Sequence, residues 1–178
     1  TIASNLAISL AQSGRRVVLL DADLRRPAQH QIFGLDNARG LSSLLAGDLE
    51  AARLLAEATR TPVPSLNAYL HPTAVPALHV IPAGPVPMNP VQALKSPRFL
   101  HLLGDLKTRA DLVLIDAPPV LGVVDGAILA GIADLTFLVL AENHVARGEA
   151  AQCKHALTQV SANLAGVILN RVQFQPEA

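Results

Sequence analysis

Two apolar runs end in carboxylates. Val17-Val18-Leu19-Leu20 leads into Asp21-Ala22-Asp23, and Leu112-Val113-Leu114-Ile115 leads into Asp116. Runs without polar alternation are the mark of strands buried on both faces, and α/β sheets hold ligands beyond the carboxyl ends of such strands. Carboxylates gathered there can hold Mg²⁺, usually through water, and one can accept the proton of a hydroxyl nucleophile. Asp also ends strands and caps helices for purely structural reasons. Two such strands, with Asp21 and Asp23 on the same side of a turn, shift the weight toward a nucleotide site.

Other chemistries lack support. Six histidines are scattered, and none forms an i,i+4 pair for a metal. The single cysteine, Cys153, lies on the apolar stripe of a predicted helix and reads as core rather than nucleophile. No Gly-x-Ser-x-Gly elbow is present for a serine hydrolase.

The elements that position the carboxylates follow from periodicity. The chain opens in a helix whose apolar stripe is Ile2, Ala3, Leu6, Ala7, Leu10 and Ala11, with Ser4, Asn5, Ser9 and Gln12 facing away. Gly14 stops it, and Arg15-Arg16 suit the negative end of its dipole. Further strands are expected over residues 135–140 and 166–169, with a shorter one at His79-Val80-Ile81. Asn89-Pro90 and Ser96-Pro97 read as helix starts, the second followed by Leu100, Leu103 and Leu106 at helical spacing. Ala150, Cys153, Leu157 and Val160 make a later stripe. Residues 59–77, with Pro62, Pro64, Pro72, Pro76 and the only tyrosine, Tyr69, read as a long surface loop. Strands alternating with helices predict an α/β fold with a doubly wound, mostly parallel sheet, in a single domain over residues 1–178.

Composition agrees. The chain has 178 residues, 51% of them apolar and 16% charged, so a core is available and global disorder is not expected. Fourteen basic residues balance fourteen acidic ones, which removes the signature of a dedicated nucleic-acid binder. A lone cysteine excludes a disulfide framework and suits a reducing cytoplasm. Mean hydropathy is +0.37, but the most apolar stretch, residues 112–141, contains Asp116, Asp125, Asp134 and Pro118-Pro119. A spanning helix needs about 20 nearly uncharged residues, so this stretch reads as strand, helix, strand.

The words themselves are recognisable. Residues 17–27, with the core Asp-Ala-Asp-Leu-Arg-Arg-Pro, resemble the Walker A′ motif of the bacterial tyrosine kinases of capsule and exopolysaccharide assembly. Residues 112–119 resemble their Walker B, and Val124-Asp125-Gly126-Ala127 the Asp-Ala step that follows it. Residues 40–47, the Asn89-Pro90 helix start and residues 166–170 also fit, so the resemblance covers nearly the whole chain. It implies a P-loop NTPase-like fold that uses ATP and Mg²⁺ to phosphorylate protein tyrosine, including its own. It implies that Asp21 and Asp23 serve Mg²⁺ and the general base, and that Asp116 is the Walker B carboxylate. Asn170 would contact adenine, while Arg25 and Arg26 lie in the nucleotide motif. The implied partners are a membrane polysaccharide co-polymerase or activator and tyrosine-containing protein substrates, with homo-oligomers open to the complete protein. The implied location is cytoplasmic, at the inner membrane face through a partner or a fused membrane domain.

Two departures qualify this. The family's P-loop, Gly-x-Gly-Lys-Ser followed by Thr, belongs immediately before the first helix, and Thr1 matches the residue just after its Mg²⁺-binding Ser. The chain therefore reads as a longer protein cut just after Walker A, without the first strand and the P-loop, with an apolar sheet edge left exposed. The tail after residue 172 also lacks the family's run of tyrosines. Two alternatives stay open: a partition or septum-positioning ATPase without kinase activity, against which Leu24-Arg25-Arg26-Pro27 argues, and a non-catalytic remnant that serves as an interaction module.

Overall fold

Val17-Val18-Leu19-Leu20 forms the middle of the molecule's main sheet, and every residue of strand β1 (Val17–Asp21) is buried. The computed structural model describes residues 2–47, 66–142 and 144–172. The chain divides into two compact units, Thr1–Pro118 and Pro119–Ala178.

In the first unit, helix α1 (Ile2–Gln12) precedes β1 and ends at Gly14, whose φ of +88° is the left-handed stop expected of glycine. After β1 come the short helices α2 (Gln29–Ile32) and α3 (Leu41–Ala46), a 3-10 turn (Leu66–Tyr69) and the strands β2 (His71–Pro72) and β3 (Leu78–Ile81). Helices α4 (Pro90–Leu94) and α5 (Pro97–Arg109) then lead into β4 (Leu112–Asp116). The strand order is β2-β3-β1-β4, with β3 and β4 parallel to β1 and β2 antiparallel to β3. This is an α/β fold with a mostly parallel sheet, as the sequence predicts.

The core beneath α1 joins Ala7 and Ala11 to Val17, Leu19, Leu78 and Val80. The stripe of α1 differs from expectation at two places: Ser4 is buried, while Leu6 is 36% exposed. Ser4 can be buried because its hydroxyl has a partner inside, the Gln29 side chain. Arg16 also takes another role than the helix end. Its guanidinium and backbone N–H all bond the Asp111 carboxylate, at 2.6 to 3.2 Å, and tie the start of β1 to the start of β4.

Asn89 caps α4 as predicted, its side chain accepting from the Gln92 N–H. Ser96 stands at the start of α5, but its hydroxyl turns back to the Ala93 carbonyl. The buried stripe of α5 is Phe99, Leu102 and Leu106, and Leu100 points outward. The predicted spacing is right and its phase is off by one side chain, because bulky Phe99 takes the fully buried position.

Residues 59–65 of the proposed Pro-rich loop lie outside the described residues. Its remainder is not a simple surface loop, since it holds the 3-10 turn and β2, and Tyr69 is only 3% exposed. The phenol ring supplies core area that the local sequence, rich in proline, otherwise lacks.

The second unit contains α6 (Asp125–Ile132), β5 (Thr136–Ala141), α7 (Arg147–Gln159) and β6 (Leu164–Asn170). β5 and β6 pair in parallel. Ala130, Leu138, Cys153 and Leu157 form its core, which confirms Cys153 as a packing residue. Burial on both strand faces holds for β1 but not for β4, β5 or β6. β4 is the outer strand of its sheet and is at best half-buried. In the second unit Phe137, Val139, Val167 and Leu169 remain 44–55% exposed. None of the described helices is long and apolar enough to cross a membrane.

Candidate functional site

The parallel register of β1 and β4 places Asp21 opposite Asp116 at the carboxyl ends of both strands. The pairing extends one residue further, with the Ala22 N–H donating to the Asp116 backbone carbonyl at 2.9 Å. The chain then turns sharply. Asp23 Oδ1 accepts from the backbone N–H groups of Arg25 (3.2 Å) and Arg26 (2.9 Å), the turn geometry that Asp favours. Asp23 is half-buried, and Arg25 and Arg26 are exposed.

Asp21 has a different environment. It is wholly buried, and its Oδ2 accepts from the N–H groups of Ala28 (3.1 Å) and Gln29 (2.9 Å), while Oδ1 accepts from that of Asp23 (3.3 Å). Burial raises its pKa most strongly and the nearby Asp116 charge adds to this, while the three N–H donors oppose it. The carboxyl is pushed up to about 6.

Gln29, which sequence reasoning did not single out, joins these groups. Its side-chain Nε2 donates to Asp116 Oδ2 at 2.6 Å, and its Oε1 accepts from the Ser4 hydroxyl at 2.8 Å. Gln29 is fully buried and Ser4 is 1% exposed. No periodic or motif signal marks either residue; a polar residue two positions after the Walker A′-like proline was the only hint.

The donor set suits a hard divalent cation only in part. Among the described residues no group of three or more His, Cys, Asp or Glu converges enough to hold a metal by itself. Mg²⁺, however, normally keeps several waters and takes only one or two carboxylates beside substrate phosphates. Asp23 Oδ2 and Asp116 Oδ1 accept no hydrogen bond from the described residues, so both remain available to such an ion or its waters. A magnesium–phosphate ligand therefore fits this chemistry better than a bare structural metal.

The other predicted residues have separate placements. Thr1 lies outside the described residues. Asn170 is the last residue of β6 in the second unit, half-buried and paired with Ala141. Asp125 is fully buried at the start of α6. Two clefts in the first unit, of about 300 and 370 Å³, are lined by Val18, Asn67, His79 and Arg109 and by Arg39, Ser42 and residues 85–87. Neither is lined by a carboxylate of the site.

The mostly parallel sheet, with Asp21 and Asp116 paired at the carboxyl ends of adjacent strands, defines the class as an α/β protein. Residues 1–168 match the family model described as "AAA domain". The chain is 35% identical over 170 residues to the tyrosine-protein kinase YwqD of Bacillus subtilis, covering 96% of this chain and 65% of YwqD. It is 32% identical over 173 residues to the tyrosine-protein kinase CpsD of Streptococcus agalactiae, covering 97% of this chain and 68% of CpsD. The solved kinase domain of the Escherichia coli tyrosine kinase ETK superposes with a TM-score of 0.85 at 32% identity, covering 99% of this chain and 64% of that one. The chain belongs to the AAA-domain family and, within it, to the bacterial tyrosine-protein kinases. It spans only about a fifth of the length of some of the curated relatives it matches.

Proposed function

We propose that this chain is part of the catalytic domain of an ATP- and Mg²⁺-dependent protein-tyrosine kinase that regulates capsular or exopolysaccharide biosynthesis and export. The observation that carries the reading is the pairing of Asp21 with Asp116 at the ends of adjacent parallel strands, with half-buried Asp23 on the turn beyond. Residues 1–178 act as one nucleotide-binding domain in this reading.

Bound MgATP would supply the phosphoryl group and neutralise its charge. Asp116 and Asp23 would hold the cation, directly or through water, and Asp21 would add negative charge from behind them. Asp23 also accepts the proton of the tyrosine hydroxyl through its open Oδ2, while the Arg25 and Arg26 N–H groups hold Oδ1 in place. Asp21 is fully buried, so it supports the base through its charge and takes no proton from the tyrosine directly. Arg25, Arg26, Thr1 and Asn170 would contact the nucleotide, Asn170 at the adenine.

Tyr69, the one tyrosine of this chain, is buried, which argues against it as the acceptor. The partners proposed are a membrane polysaccharide co-polymerase or activator, protein substrates bearing tyrosine and further copies of the same chain. The location proposed is cytoplasmic, at the inner membrane face.

The test is to incubate the full-length protein with ATP and Mg²⁺ and map modified residues by mass spectrometry. Phosphotyrosine supports the kinase. Phosphate release with no phosphotyrosine would instead favour an ATPase of the partition or septum-positioning kind.

A further inference from the structure

Asp21 and Asp116 arrive on different strands, yet one buried residue touches both. The Gln29 backbone N–H donates to Asp21 Oδ2 at 2.9 Å, and its side-chain Nε2 donates to Asp116 Oδ2 at 2.6 Å. We propose that Gln29 is a positioning residue for the phosphoryl-transfer site, setting the orientation of the Asp116 carboxylate toward Mg²⁺, with Ser4 of α1 anchoring the oxygen end of the Gln29 amide. This rests on the nucleotide-site reading above and adds to it a residue and a connection to α1.

The orientation of the amide follows from its neighbours. With Oε1 turned toward Asp116, two oxygens would stand 2.6 Å apart and a carboxylate would lose its donor. The acceptor-only carboxylate therefore sets the orientation, and the Ser4 hydroxyl, donating to Oε1, anchors the other end of the amide. Both ends of the amide are thereby satisfied, and Gln29 is fully buried.

The bond also selects an oxygen. Asp116 Oδ2 is occupied by Gln29, which leaves Oδ1 as the one that can face an ion or its water shell. Loss of the amide would let the carboxylate rotate and leave a half-buried acceptor without its donor. Residues that orient metal-binding carboxylates typically change metal affinity about 10–100-fold when removed.

A merely structural glutamine would behave differently. Its loss would lower the melting temperature and leave the dependence of nucleotide binding on Mg²⁺ unchanged. Gln29→Met keeps the volume and removes both amide ends. Ser4→Ala keeps Gln29 and removes the anchor at its amide oxygen.

The experiment titrates Mg²⁺ into full-length protein holding methylanthraniloyl-ADP and reads nucleotide fluorescence, with thermal melting in parallel. Gln29→Met should raise the Mg²⁺ concentration at half-effect about tenfold or more, and Ser4→Ala should raise it about threefold. Binding of the probe without Mg²⁺ should stay within about twofold of the parent for both variants. A folded Gln29→Met with the parent's Mg²⁺ dependence overturns the proposal. If that variant does not fold, Ser4→Ala decides, and an unchanged Mg²⁺ dependence overturns it equally. A parent protein with no Mg²⁺-dependent binding at all is a different failure, since it removes the nucleotide site itself and this inference with it.

Discussion

At the scale of residues, the site is a set of carboxylates in unequal surroundings. Asp21 sits where water is excluded, and its ordinary carboxylate value of 3.8 moves up to about 6. The folded chain then keeps a proton that the unfolded chain has already released. The stability contributed by Asp21 is full below about pH 4 and falls as pH rises toward 6, by at most about 1.4 kcal/mol per pH unit. Asp21→Asn cannot ionise and should lack this loss. Urea unfolding of both proteins across that window should show their stability difference shifting toward the variant as pH rises, and a constant difference would contradict the burial argument. The carboxylates themselves were legible because each ends an apolar run. Ser4 and Gln29 were not, because the bond that explains them joins positions 25 residues apart. A hydroxyl in an amphipathic helix is assigned to the wet face unless a partner inside is already known.

At the scale of elements, the segment before α3 is locked against the end of β3. Leu41 and Ser42 donate their N–H groups to the carbonyls of Pro82 and Ala83, each at 2.8 Å. Asn37 holds Gly84 from the other side, through both its amide oxygen and its amide nitrogen. Gly40 lies in this contact, where an added Cβ would stand 2.1 Å from the Pro82 carbonyl oxygen and 2.4 Å from the Gly84 nitrogen. Both are backbone atoms, and side-chain rotation cannot relieve the overlap. Gly40→Ala should therefore cost about 1–3 kcal/mol or more by forcing the two segments apart. Denaturant unfolding checks this, and a variant within about 0.5 kcal/mol of the parent would show that the segments can separate freely. Strand positions were readable from unbroken apolar runs, but burial on both faces was not. That property depends on which neighbours a strand has, and β4 lies at the outside of its sheet. The phase of α5 was equally out of reach, because leucine spacing alone does not say that Phe99 takes the deepest position.

At the scale of the whole molecule, the two units carry different parts of the proposed chemistry. The carboxylates and their turn belong to Thr1–Pro118, and Asn170 belongs to Pro119–Ala178. The α/β class was readable from the alternation of strands and helices. The division into two units was not, since nothing in composition changes at Pro118-Pro119 beyond the proline pair itself. The central claim is that Asp23, held at Oδ1 by two backbone donors and with no donor on Oδ2 among the described residues, takes the proton from a tyrosine hydroxyl. Phosphotyrosine formation by full-length protein, compared with its Asp23→Asn variant at saturating ATP and Mg²⁺, tests it most directly. Loss of a general base predicts a fall in rate of about 100-fold or more, with the fold and the melting temperature retained. Unchanged phosphotyrosine formation in a folded Asp23→Asn protein would contradict the account.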